Sequence, residues 1–143
     1  MTIRSLRGIA DSQQPVLTFA GDTPVSDVAR TMRERQFGAA MIVAGSQLVG
    51  IFTERDALFR VVAAGLDPRE TRVGDVMTRN PQTIHPSRPF IEALHMMHHG
   101  RFRHVPIVED GRPVGIVSVR EALHTDFTEL IQLLSTREAV DRV

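Results

Sequence analysis

The chain repeats itself at a fixed interval. Residues 16–58 laid on residues 81–123, a constant offset of 65 with no gap, give 12 identities in 43 positions. The clearest register sets Val49-Gly50-Ile51-Phe52-Thr53-Glu54-Arg55-Asp56-Ala57-Leu58 on Val114-Gly115-Ile116-Val117-Ser118-Val119-Arg120-Glu121-Ala122-Leu123. Each copy ends an apolar run with a hydroxyl residue and places an acid three residues later. A repeat fixes the architecture and puts related sites in both copies. Two units are too few for a solenoid, and 143 residues suit one compact domain. The copies must therefore share a core.

Within each copy the periodicity changes in the same order. Val25, Val28, Ala29 and Met32 stand at i, i+3, i+4 and i+7, and their mates Phe90, Ala93, Leu94 and Met97 repeat the pattern. That is the stripe of a helix with one buried face. Asp22 and Ser87 are the expected N-caps, with Pro24 and Pro89 in the first turn. Short apolar runs follow, 39–43 and 104–108, then polar turns, then second apolar runs, 48–52 and 114–117, so each copy is expected to hold a hairpin. The second run enters a helix at Thr53 or Ser118, with Ala57, Leu58, Val61 and Val62 as its expected buried stripe in the first copy. Extended pieces at 16–19 and 82–84 open the copies. The unit reads β-α-β-β-α, an α/β (α+β) arrangement with pseudo-twofold duplication. The units span 8–65 and 73–125, joined by a turn-rich linker at 66–72. Phe127, Leu130, Ile131 and Leu134 predict a further helix within 126–143.

Composition removes several function classes. Lys plus Arg equals Asp plus Glu at 17 each, so no net field favours nucleic acid or an anionic membrane. There is no cysteine, which removes disulfides, thiol nucleophiles and thiolate metal sites. No apolar run approaches the roughly 20 residues of a spanning helix. The expectation is a soluble cytoplasmic protein.

The Val73-Gly74-Asp75-Val76-Met77 lead-in, the segment Phe102-Arg103-His104-Val105-Pro106-Ile107-Val108 and the two in-register hydroxyl-x-x-acid endings resemble a pair of CBS domains, often called a Bateman module. The resemblance covers about residues 8–125. It implies the CBS-pair fold and a stand-alone regulatory module, not an enzyme, that binds an adenine nucleotide. AMP comes first, with ATP, ADP, NAD or S-adenosylmethionine as competitors, and no cofactor is required. It also implies a homodimer of two modules stacked as a disc and an unidentified regulated partner.

The same resemblance assigns site residues. In the main site the ribose hydroxyls would fall to Asp56 and Thr53, the phosphate to Arg103, His104 and Arg120, and the base to the neighbourhood of Gln82, Thr83 and Ile51. A carboxylate suits a vicinal diol because it only accepts, and Arg offers a rigid two-pronged donor to phosphate. From the residues alone, Thr53 and Asp56 equally fit a capping-box start, and the arginines fit solvated surface charges. The repeat mates define a weaker second site of Ser118 and Glu121 with Leu17, Thr18, Gly38, Ala39 and Arg55. Glu121 is the longer acid, and Gly38 and Ala39 bring no charge. Contact with both copies would change the angle between them.

Other patterns carry less. His95, His98 and His99 share a helix face, but their mates Arg30, Arg33 and Glu34 mark that face as solvent-exposed, so no metal site is expected. Ser118 lacks the nucleophile elbow a hydrolase needs. Gly50 and Gly115 do not form a dinucleotide fingerprint. The alternative function is a structural or dimerisation module with a vestigial pocket.

Overall fold

The computed structural model describes residues 5–120. Glu121 and the expected helix within 126–143 lie outside the described residues. The order is α1 (Leu6–Ser12), β1 (Thr18–Ala20), α2 (Val25–Arg35), β2 (Ala39–Ala44), β3 (Gln47–Thr53), α3 (Glu54–Asp56) with a wide-turned continuation (Ala57–Val62), α4 (Val73–Val76), β4 (Thr78–Arg79), α5 (Phe90–Gly100), β5 (His104–Glu109) and β6 (Arg112–Ser118). The mixed α+β duplication is present. β1 runs parallel to β2, β2 and β3 form a hairpin, β4 pairs with β3, and β5 and β6 form the second hairpin. Both hairpins carry an irregularity at mate positions, Ile42/Val43 and Ile107/Val108.

The opening strand of the second copy is reduced to one bridge, Ile84 to Ile107. Ile84 donates to the Pro106 carbonyl at 3.0 Å and accepts from the Val108 N–H at 2.9 Å. The next rung would need an N–H on Pro106, which proline lacks. Its mate in the first copy is Met41, and β1 extends over three residues there.

Helix entry differs from expectation in the same way twice. Pro24 and Pro89 are themselves the N-caps, with no side-chain cap hydrogen bond. Asp22 is not needed, because the Val25 and Ser26 N–H groups donate to the Thr71 and Pro68 carbonyls of the linker, each at 2.9 Å. Ser87 turns instead to His85, with its hydroxyl 2.7 Å from Nδ1. Both helices end in left-handed residues at mate positions, Gln36 and Arg101.

The lead-in segments are exchanged between the copies. Leu6, Ile9 and Ala10 of α1 are buried with Phe90, Ala93, Val105, Ile107 and Val117 of the second copy. Val73, Val76 and Met77 are buried with Val25, Val28, Ile42 and Phe52 of the first. Gln13 fastens the first exchange: its Nε2 donates to the Ile116 carbonyl and its Oε1 accepts from the Ile116 N–H, both at 2.8 Å. Gln14 Nε2 adds a bond to the Val114 carbonyl at 2.7 Å. These amides occupy the open edge of β6, as β4 occupies the edge of β3. A seam of Ala39, Met41, Ile51 and Ile116 joins the copies, and Ile51 and Ile116 are repeat mates across it.

The expected stripe after Thr53 is only partly buried. Val61 is buried, but Leu58 and Val62 are exposed, as is Phe59. The turns here are wide, with the Ala63 N–H reaching back five residues to the Leu58 carbonyl at 2.8 Å. A five-residue turn rotates successive side chains away from the 3.6-residue stripe.

Candidate functional site

Thr53 and Asp56 form a complete capping box at the start of α3. The Asp56 N–H donates to Thr53 Oγ1 at 3.2 Å, and Asp56 Oδ2 accepts from the Thr53 N–H at 3.0 Å and from its hydroxyl at 3.1 Å. Asp56 Oδ1 faces the second lead-in, accepting from Thr78 Oγ1 at 3.2 Å with Arg60 Nε at 3.5 Å. Arg60 also donates from Nη1 to the Met77 carbonyl at 2.8 Å. The carboxylate is buried and fully engaged by the protein, tying α3 to β4. Thr78 was missed from the sequence, because its approach depends on the β3–β4 pairing of Ile51 with Thr78; Arg60 stands four residues after Asp56 on the same helical segment, a spacing the sequence shows.

A second group surrounds an open cavity of about 1510 Å³. Its lining includes Arg103, His104, Arg120 and Ser118 from the second copy, with Gly38, Ala39 and Glu54 from the first. The hairpin registers account for the grouping, since His104 lies opposite Ser118 and Ala39 opposite Thr53. The Arg103 carbonyl accepts from the Val119 N–H at 2.9 Å, closing the strand ends around the cavity. Burial pushes the His104 imidazole below its ordinary value. Glu54 offsets part of that shift, and Arg103 adds to it. Arg33 from α2 lines the same space.

The structure thus collects the three phosphate candidates, but places them with Ser118 and Ala39. Thr53, Asp56, Gln82 and Thr83 are not among the described residues lining this cavity. Gln82 and Thr83 are exposed, and Ile51 lies in the seam. Leu17 and Ala39 line a separate void of about 10 Å³, room for about one water. Arg55 is exposed, with its guanidinium 5.2 Å from the Phe59 ring, and Thr18 is the first residue of β1. The His99 ring stands edge-on to those of His95 and His98. Among the described residues, no helix is long and apolar enough to cross a membrane.

Two exchanged halves meeting at a seam, with a cation-lined cavity between them, define a CBS pair, a regulatory module. The CBS-domain family model matches residues 7–63 and 73–128, and the chain belongs to this family. It is 40% identical over 121 residues to the CBS domain-containing protein CBSCBSPB1 of Arabidopsis thaliana, covering 84% of this chain and 22% of that protein. It is also 35% identical to the mitochondrial CBS domain-containing protein CBSX3 of the same plant, covering 78% of this chain and 59% of the relative. The chain therefore spans about a fifth of the first relative and less than two thirds of the second. Among solved structures, a CBS-domain containing protein from Agrobacterium tumefaciens superposes with a TM-score of 0.75 at 28% identity, covering 85% of this chain and 92% of that one. A CBS domain protein from Pyrobaculum aerophilum complexed with AMP shares the fold, with a TM-score of 0.70 at 24% identity and coverage of 79% and 88%.

Proposed function

We propose that this CBS pair is a non-catalytic sensor of an adenine nucleotide, AMP first, that signals to a partner protein. The observation that carries the reading is the cavity between the copies in which Arg103, His104 and Arg120 converge. Its volume of about 1510 Å³ exceeds the roughly 300–1,000 Å³ of ordinary small-molecule sites. Two guanidinium groups suit a phosphate, and the same fold holds AMP in the Pyrobaculum aerophilum protein.

The phosphate is assigned to Arg103, His104 and Arg120, and the ribose to Asp56 and Thr53. A sugar hydroxyl reaching Asp56 would exchange with the Thr78 and Arg60 contacts on Oδ1 and leave the capping oxygen in place. Ser118 is the second candidate for the sugar, because it lines the cavity beside His104. Calorimetric titration of AMP into wild type, Asp56→Ala, Ser118→Ala and Arg103→Ala tests the assignment. Micromolar binding near one site per chain is expected, lost in Arg103→Ala and in whichever variant removes the ribose anchor. Heat indistinguishable from dilution with wild-type protein would refute the sensor.

A dimerisation role is favoured by the exposed face of Leu58, Phe59 and Val62, an apolar surface suited to a second copy, although Leu58 and Val62 also line the cavity. Mass in solution for Phe59→Glu tests it. A wild-type dimer that becomes a monomer supports this face as the interface, and an unchanged mass rejects it.

A further inference from the structure

One group in the cavity has the wrong sign for an anion site. Glu54 opens α3 of the first copy and lines the same cavity as the cations of the second. Its N–H is anchored to the Gly38 carbonyl at 3.1 Å. A Cβ on Gly38 would collide with Glu54 Oε1 and stand 3.1 Å from His104 Nε2. The missing side chain at residue 38 therefore leaves the space in which carboxylate and imidazole approach across the seam. The arrangement is confined to one copy, since the mates of Gly38 and Glu54 are Arg103 and Val119. Facing His104 are Glu54 from α3, Arg103 beside it in the chain and Ser118 across the hairpin. Arg33 and Arg120 line the same cavity. Burial favours the neutral imidazole, so the Glu54 charge is not cancelled by His104 near neutral pH.

We infer that Glu54 is the resident counter-anion of the cavity, a specificity residue that competes with a ligand's phosphates for the cations and disfavours ligands of higher negative charge. The inference rests on the reading that a nucleotide phosphate enters this cavity. Three guanidinium groups against one carboxylate leave two positive charges among these groups, which matches a phosphomonoester dianion. A triphosphate brings more negative charge toward the same carboxylate and is repelled more strongly, because Coulomb energy scales with the product of charges.

Glu54→Gln keeps the size and the backbone anchor while removing the charge. AMP and ATP are titrated calorimetrically into wild type and variant at one pH and ionic strength, with thermal unfolding confirming that both are folded. AMP is expected to bind Glu54→Gln about fivefold more tightly, an estimate that allows for solvent screening of an exposed charge, and ATP is expected to gain more than AMP. Should Glu54→Gln fail to fold, Glu54→Ala replaces it with the same expected order. Binding in wild type with an unchanged or lower ATP-to-AMP affinity ratio in the variant overturns the role of Glu54 and leaves the sensor reading standing. Absence of AMP and ATP binding in wild type and variant alike removes both.

Discussion

Gly50 and Gly115 occupy mate positions beneath the two exchanged lead-ins, yet the same substitution should act on them unequally. A Cβ on Gly115 would stand 2.9 Å from Ala10 Cα, 3.0 Å from Gln13 Oε1 and 3.2 Å from Ala10 Cβ. Carbon atoms pack best at about 3.5–4.0 Å, so α1 must retreat by about half an ångström. It cannot do so locally, because Leu6 and Ile9 are fully buried on the same helix. Overpacking of this kind costs about 1–3 kcal/mol. Stretching the paired Gln13–Ile116 bonds adds about 1 kcal/mol, so Gly115→Ala should lose about 2–4 kcal/mol. For a Cβ on Gly50 the three nearest atoms all belong to the Met77 side chain, its Cγ and Cε at 3.0 Å and its sulfur closer still. An unbranched thioether can turn aside, so Gly50→Ala should cost less than about 1.5 kcal/mol. The unfolded-chain gain of Gly→Ala is common to both and cancels. Parallel urea denaturation reads the difference as about 1 M in midpoint, given a slope of about 1–3 kcal/mol/M. Amide exchange should show faster opening at Ile116 in Gly115→Ala alone. Equal midpoints, or a lower midpoint for Gly50→Ala, would refute the claim that backbone contact at Ala10 is what locks the first lead-in.

Asp56→Ala removes the acceptor shared by the Thr53 N–H, Thr78 and Arg60 and should cost about 2–3 kcal/mol. Thermal unfolding without ligand measures this, and an unshifted midpoint would contradict it. For His104 the folded pKa lies below the ordinary 6.5 because of burial, so the unfolded chain binds protons more readily. Its contribution to stability is present above about pH 6.5 and is lost as the pH falls through the lowered folded value. His104→Gln should flatten the slope of unfolding free energy between pH 7.5 and 5.5, and an unchanged slope would sink the assignment. Glu109 accepts from Arg7 at 3.1 and 2.9 Å, which holds its carboxyl below the usual range. Because the pair is exposed, Arg7→Ala should lower the melting temperature slightly at low salt and not at high salt; equal shifts at both salts would show a packing role instead.

Much of the fold was legible because the repeat stated each element twice. The stripes of α2 and α5, the hairpin strands and the Thr53 entry into a helix all follow from periods and turns that one copy confirmed for the other. What escaped were contacts that no local pattern encodes. Leu6, Ile9 and Ala10 stand before the repeat, and nothing in their spacing says that their core belongs to the second copy. Pro106 read as part of a strand, and so it is; its missing N–H is felt one strand away, at Gln82. The grouping of the site was half legible. A hairpin fixes which residues stand opposite, so the turn after Val108 already set His104 beside Ser118, a register that was available and not used. Glu54 escaped because it is unremarkable until the seam brings the copies together, and Gly38 counted in the sequence only as a position that brings no charge.

The exchanged lead-ins also limit how such a module can signal. A change in the angle between the copies large enough to outrun the connecting segments 13–17 and 80–83 would draw α1 away from β6 or α4 and β4 away from β3, since each lead-in is buried in the other copy's core. Exposing Leu6 and Ile9 alone would cost about 1.5–3 kcal/mol each, before the Gln13 and Gln14 bonds are counted. A micromolar ligand supplies about 8 kcal/mol in total, and only the part that differs between two states can shift their balance. Large rotation of one copy against the other is therefore disfavoured. Rearrangement confined to the cavity is cheaper, because the exposed Arg103 and Glu54 side chains can move without opening either core. A partner reading this module would then sense the charge and side-chain positions at the cavity rim in place of the angle between two halves.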